Sequence, residues 1–134
     1  MMLGSVMYSY QRFEAWKRAH QALMLTLKST DAAYHPRSRA LFDQLKRAAI
    51  SVEANVVEGY ALGTVPLFRR HIRIAIGSAA EAETLSRVAE EAKYLDPVVA
   101  RELAVLFERT LAVLVGLFRS PHALTAPFRA TPRR

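Results

Sequence analysis

Four glutamates close together, Glu81, Glu83, Glu90 and Glu91, raise the prospect of a carboxylate metal site. A di-iron site of that kind needs Glu-x-x-His pairs on two helices. Neither Glu81 nor Glu83 nor Glu90 has a histidine three residues on. The four histidines, His20, His35, His71 and His122, are scattered. None stands at metal-ligand spacing with another. His71 lies among Arg69, Arg70 and Arg73, which would repel a cation. His20 falls on the apolar side of its helix and reads as a core or interface residue. There is no cysteine, hence no disulfide, thiolate site or cysteine nucleophile. Walker, dinucleotide and serine-hydrolase signatures are missing too. The expectation is a protein that is not an enzyme and uses neither metal nor cofactor.

The densest polar pattern has a different chemistry. At about 100° per residue, Gln44, Arg47, Ser51, Asn55 and Glu58 share one narrow helix face. Arg70, Arg73, Gly77, Glu81 and Thr84 share another. Folded as an antiparallel hairpin, the two faces oppose Glu58 to Arg70, Asn55 to Arg73, Ser51 to Gly77 and Arg47 to Glu81. The register centres near Thr64, inside the turn that a short hairpin demands. Gly77 would remove a side chain where the helices approach. The expectation is a half-buried polar network that fixes register; burial of such charges is weak evidence for stability but costly to break.

Free cations form a second pattern. Arg12, Lys17, Arg18 and Lys28 mark the outer side of the first helix, and Arg37, Arg39 and Lys46 the start of the second. Arg69 opens the third, beside the Arg70 and Arg73 assigned to the network. Residues 1–73 hold eleven basic and five acidic side chains, residues 74–118 four and seven, and residues 119–134 four and none. Such segregation fits a polyanion or acidic-to-basic packing between subunits. Tyr8, Tyr10, Phe13 and Trp16 do not make a stacking platform, so nucleic-acid contacts would be mainly to phosphate and sensitive to salt.

Helices must position these groups. The chain has 134 residues, 51% hydrophobic and 23% charged, with a formal charge of +7. That is one domain with a sizeable core. Apolar residues recur at helical spacing over 11–33 (Phe13, Trp16, His20, Leu23, Leu27), 38–61 (Phe42, Leu45, Ala49, Val52, Val56), 64–93 and 96–118 (Val99, Leu103, Leu106, Val113, Leu117). His35-Pro36, Gly59 with Gly63, Thr64 with Pro66, Asp96-Pro97 and Ser120-Pro121 punctuate them. The third helix carries two apolar stripes. Phe68, Ile72, Ala75, Ala79 and Ala82 form one; Ile74, Leu85, Val88 and Ala92 form the other and predict self-association. The reading is all-α: an antiparallel up-down four-helix bundle over 10–118, a flexible N-terminus over 1–9, and a Pro/Arg-rich tail over 119–134 without fixed structure. No segment reaches the ~18 apolar residues of a membrane span, and no secretory signal is present. A cytoplasmic location is expected.

Phe13-Glu14-Ala15-Trp16-Lys17-Arg18-Ala19, then Gln44-Leu45-Lys46-Arg47-Ala48-Ala49 with Ser51, Asn55 and Glu58-Gly59, then Ala75-Ile76-Gly77-Ser78 with Glu81 and Glu83, form three spaced motifs. Over about residues 10–118 the chain resembles the four-helix bundle proteins encoded in intervening sequences of bacterial 23S ribosomal RNA genes. That family is similar to the accessory variability determinants of diversity-generating retroelements. The resemblance implies a ring-like homopentamer with a central channel, nucleic-acid binding through basic surface, a reverse transcriptase partner in the retroelement relatives, and no enzymatic activity. Its motif residues fall here on Gln44, Arg47, Ser51, Asn55, Glu58, Gly59, Gly77, Ser78 and Glu81, mostly the network above. The expected function is non-enzymatic binding of RNA or DNA by a homo-oligomer, with a protein–protein scaffold as the alternative.

Overall fold

Proline and glycine set the boundaries of the helices. A computed structural model of the chain describes Tyr10 and residues 13–129. Helix α1 spans Glu14–Ala32. A 3-10 turn at Pro36–Ser38 follows, in which the His35 ring accepts a hydrogen bond from the Arg37 amide. Helix α2 spans Arg39–Ala61. Gly63, at φ 78°, turns the chain in the left-handed region that glycine enters without penalty. Helix α3 spans Val65–Glu91 and carries Pro66 in its first turn. The Thr64 side chain makes no capping bond there. Asp96 does cap α4, Pro97–Arg119, by accepting from the Val98 amide at 2.9 Å.

Each of the four long helices packs against two neighbours, in the order α1–α2–α3–α4 and back to α1. Their directions alternate. At one end Ala22, Phe42, Leu45, Ala89, Leu103 and Phe107 share a cluster; at the other Ala15, Val52, Val56, Phe68, Ile72 and Leu114 share a second. Burying each large side chain contributes about 1.5–3 kcal/mol.

The five expected core residues of α2 are all buried. So are Phe68, Ile72, Ala75, Ala79 and Ala82 of α3. Helix α1 is turned from its expected face. It buries Ala15, Ala19, Ala22, Thr26, Ser29 and Thr30. Phe13, Trp16, His20, Leu23 and Leu27 are only half-buried. The face that this helix turns to its neighbours is thus made of small residues. The Thr26 and Thr30 hydroxyls donate to carbonyls one turn back, at 2.8 and 2.7 Å, so their burial leaves no orphan group. On α4, Leu103 and Leu106 are buried as expected, while Val99, Val113 and Leu117 are half-buried.

The expected structureless tail is corrected over 121–128. Ser120 caps a short helix, α5, Pro121–Thr125, through the Ala123 amide, and a 3-10 turn, Ala126–Phe128, follows. Leu124 is 3% exposed. The Phe128 ring stacks on Tyr60 at 5.7 Å and meets Phe68 edge-on at 5.4 Å. Burial of these two side chains offsets the ordering cost of a proline-rich segment. The expected N-terminal segment 1–9 and residues 130–134 lie outside the described residues.

Candidate nucleic-acid interface

The α2/α3 hairpin holds a polar seam at the expected place, but with different partners. The Ser51 and Ser78 hydroxyls are 2.8 Å apart. Asn55 Nδ2 donates to the Ser51 carbonyl at 2.8 Å and to Ser51 Oγ at 3.1 Å. Asn55 Oδ1 lies 2.8 Å from His71 Nδ1. With the Asn55 amide donating on one side, its oxygen accepts, and His71 Nδ1 carries the proton. Gln44 Nε2 donates to Glu81 Oε2 at 3.0 Å. Glu58 stands 3.8 Å from His71 Nδ1.

The expected pairs Glu58–Arg70, Asn55–Arg73, Ser51–Gly77 and Arg47–Glu81 are therefore replaced. Ser78 lies one residue past the partner expected for Ser51, and His71 lies one past that expected for Glu58 and two before that expected for Asn55. One residue rotates a helix face by about 100°, enough to carry Arg70, Arg73 and Gly77 out of the seam. Arg47, Arg70 and Arg73 are exposed, and among the described residues no ion pair holds them. Gly77 has nothing within 4 Å of the Cβ position. The close approach falls at Gly59 instead, where a Cβ would meet His71 Cβ at 2.7 Å and the Phe68 backbone at 3.3 Å. Gly59 thus lies inside α2 and fits the helices together; it does not end the helix.

The α3/α4 side is built from long charged side chains. Arg87 bonds Glu83 and Glu108, both at 2.8 Å. The hydrogen bond and charge of Glu83 push the Arg87 pKa above its ordinary value. Arg101 reaches Glu90 at 3.2 Å.

The candidate cations are dispersed. Arg18 pairs with Glu14 at 2.9 Å. Arg39 and Lys46 both approach Asp43, at 3.9 and 3.8 Å. Arg37 lies over the Tyr94 ring, 5.6 Å from its centroid, and Arg69 over Phe118 at 4.1 Å. Lys17 and Lys28 are exposed on α1, and Arg12 lies outside the described residues. His20 takes the interface place of the two expected for it: half-buried, its Nδ1 meets Glu53 of α2 at 3.0 Å and its ring stacks on Trp16. Of the residues expected to recruit other copies, Ile74 and Val88 are 43% and 41% exposed. Ala92 is exposed, whereas Leu85 packs into the protomer's own core. Among the described residues no group of three acidic or histidine side chains is placed to hold a metal ion. No described helix is long and apolar enough to cross a membrane.

The model of the 23S rRNA-intervening sequence protein family matches residues 11–116. The chain belongs to this family. The family region contains the whole α2/α3 seam, including His71, which sequence reasoning set aside as one more member of a basic cluster. Its position one residue beyond Arg70, on the side of α3 that meets Asn55, was the available signal. Arg119, Leu124 and Phe128 lie beyond the family region. No curated protein matches the chain.

Proposed function

We propose that this protein is a non-enzymatic, cytoplasmic helical bundle that self-associates into a ring-like homopentamer and binds RNA or DNA through phosphate contacts. Such a protein would serve as accessory to a larger nucleoprotein, of which a reverse transcriptase is one class. The observation that carries the reading is a group of exposed cations, Lys17, Lys28, Arg47, Arg70, Arg73 and Arg119 among them, that no acidic partner holds among the described residues. Unpaired surface cations are available to replace counterions on a polyanion. The family's link to ribosomal RNA genes supports the same reading by its name. Exposed Ile74 and Val88 support self-association. They also favour a second reading, a protein scaffold whose charge docks an acidic partner.

Filter binding of the full chain to structured RNA at 50 and 200 mM salt separates the two. Affinity should fall steeply between those concentrations. No binding at the lower salt would overturn the nucleic-acid reading and leave the scaffold. Light scattering at micromolar concentration tests assembly separately: a particle of 15.0 kDa would refute self-association.

A further inference from the structure

The chain contains two long stretches without a carboxylate, residues 59–80 and residues 109–134. The fold brings them to the same end of the bundle: α3 begins there, α4 finishes there, and α5 closes over both. Arg69, Arg70 and Arg73 come from the first stretch and Arg119 from the second. The other two helices bring Glu14, Glu53 and Glu58 to this end. These face Arg18, His20 and His71 respectively. Among the described residues, none of these carboxylates forms an ion pair with Arg69, Arg70, Arg73 or Arg119. The opposite end is mixed in sign, with Asp31, Asp43, Glu90 and Asp96 beside Lys28, Arg39 and Arg101.

A cleft of about 340 Å³ opens between these segments, lined by Val65, Arg69, Phe118, Arg119, Leu124 and Thr125 among others. Its floor is apolar and its rim carries two guanidinium groups. One of them, Arg69, already lies over the Phe118 ring, its Cζ 4.1 Å from the centroid. A planar cation held on an aromatic face offers its second face to another flat group. Arg70 and Arg73 continue the charge along the exposed side of α3. An acidic peptide would use the charge but not the flat apolar floor. An unpaired nucleotide uses both: phosphate on arginine, base on a stacking surface.

We propose that an unpaired strand of nucleic acid docks across this end, its phosphates on Arg70, Arg73 and Arg119 and one base in the cleft between Arg69, Phe118 and Leu124. The proposal rests on the nucleic-acid reading above and adds to it a place and a preference for single strands. It also gives the segment beyond the family region a role, since that segment walls the cleft.

The test is fluorescence anisotropy with the full chain, a labelled twelve-nucleotide oligouridine and an RNA duplex of equal length. Arg73→Gln and Arg119→Gln should each weaken the single strand about tenfold at 50 mM salt and lower the salt slope by about one. Arg87→Gln and Arg101→Gln change net charge equally but lie in ion pairs toward the opposite end of the bundle, and should match wild type. All four are exposed, and circular dichroism checks that each retains its helix. Wild type should prefer the single strand to the duplex. Four equal losses would overturn the placement and leave the general reading standing. Equal affinity for duplex, or equal competition by polyglutamate, would overturn the base-in-cleft assignment. No wild-type binding at 50 mM salt would overturn the general reading and the placement with it.

Discussion

Helix α3 meets its two sequence neighbours by opposite means. Toward α2 it offers His71 and Ser78, which bond Asn55 and Ser51 in a half-buried seam, and Glu81, which accepts from Gln44 at the exposed end of that seam. Toward α4 it offers Glu83, Arg87 and Glu90, long side chains that reach charges over an exposed rim. Short groups need the backbones close, and Gly59 lets them be close. Long groups tolerate separation and can re-pair after a slip. The α2/α3 seam is therefore the contact suited to hold one register, whereas the α3/α4 rim overlies the buried side chains of Leu103, Phe107 and Leu114.

The largest effect should follow from the smallest change. Gly59→Ala adds one methyl where His71 Cβ would lie 2.7 Å away and the Phe68 backbone 3.3 Å away. Neither is the loose end of a side chain, so a helix must shift. Overpacking costs about 1–3 kcal/mol, against about 1 kcal/mol gained in helix propensity. A net loss of up to about 2 kcal/mol is expected in urea unfolding. The same substitution at Gly77, exposed and with nothing within 4 Å, should stabilise by about 0.5–1 kcal/mol. Equal outcomes at the two glycines would erase the distinction between seam and surface.

Those glycines also show how far the sequence can be read. Large apolar residues at helical spacing located α2 and the inner face of α3 residue by residue, because burial of Phe42, Val52 or Ile72 dominates where those helices point. On α1 the same rule chose the wrong side. Its closest packing is made by alanines and threonines, whose small area gives no periodic signal strong enough to compete with Phe13, Trp16 and Leu23. The polar network was found on the correct pair of helices, then assigned to Arg70, Arg73 and Gly77. Opposite charge outweighed the less conspicuous His71 and Ser78, although desolvation favours neutral groups in a seam. Packing of the tail was not legible, since Leu124 and Phe128 find Phe68 and Tyr60 only once the bundle exists. The cleft walled by that tail was hidden for the same reason.

Asn55→Ala probes the seam from its polar side. It removes the acceptor for His71, whose side chain is 17% exposed, and the donor to Ser51. Half-buried groups left without partners should cost about 1 kcal/mol. In a double-mutant cycle with His71→Ala the two losses should fall short of additive by about 0.5 kcal/mol or more. Strict additivity would mean that Asn55 and His71 act separately and that the seam is a set of independent contacts.

Arg101→Ala should do least, and its smallness is the sharpest check on the comparison. The side chain is 73% exposed and meets Glu90 at 3.2 Å. Water screens that pair, and holding two long side chains in one arrangement costs entropy, so the change in unfolding free energy should stay within about 0.5 kcal/mol. Raising the salt should shift wild type and variant together, since little is left to screen. A loss of about 2 kcal/mol, vanishing at high salt, would show that charge pairing carries the α3/α4 contact. Both sides of α3 would then hold register, and the preference for neutral hydrogen bonds between α2 and α3 would reflect only which residues happen to face each other there.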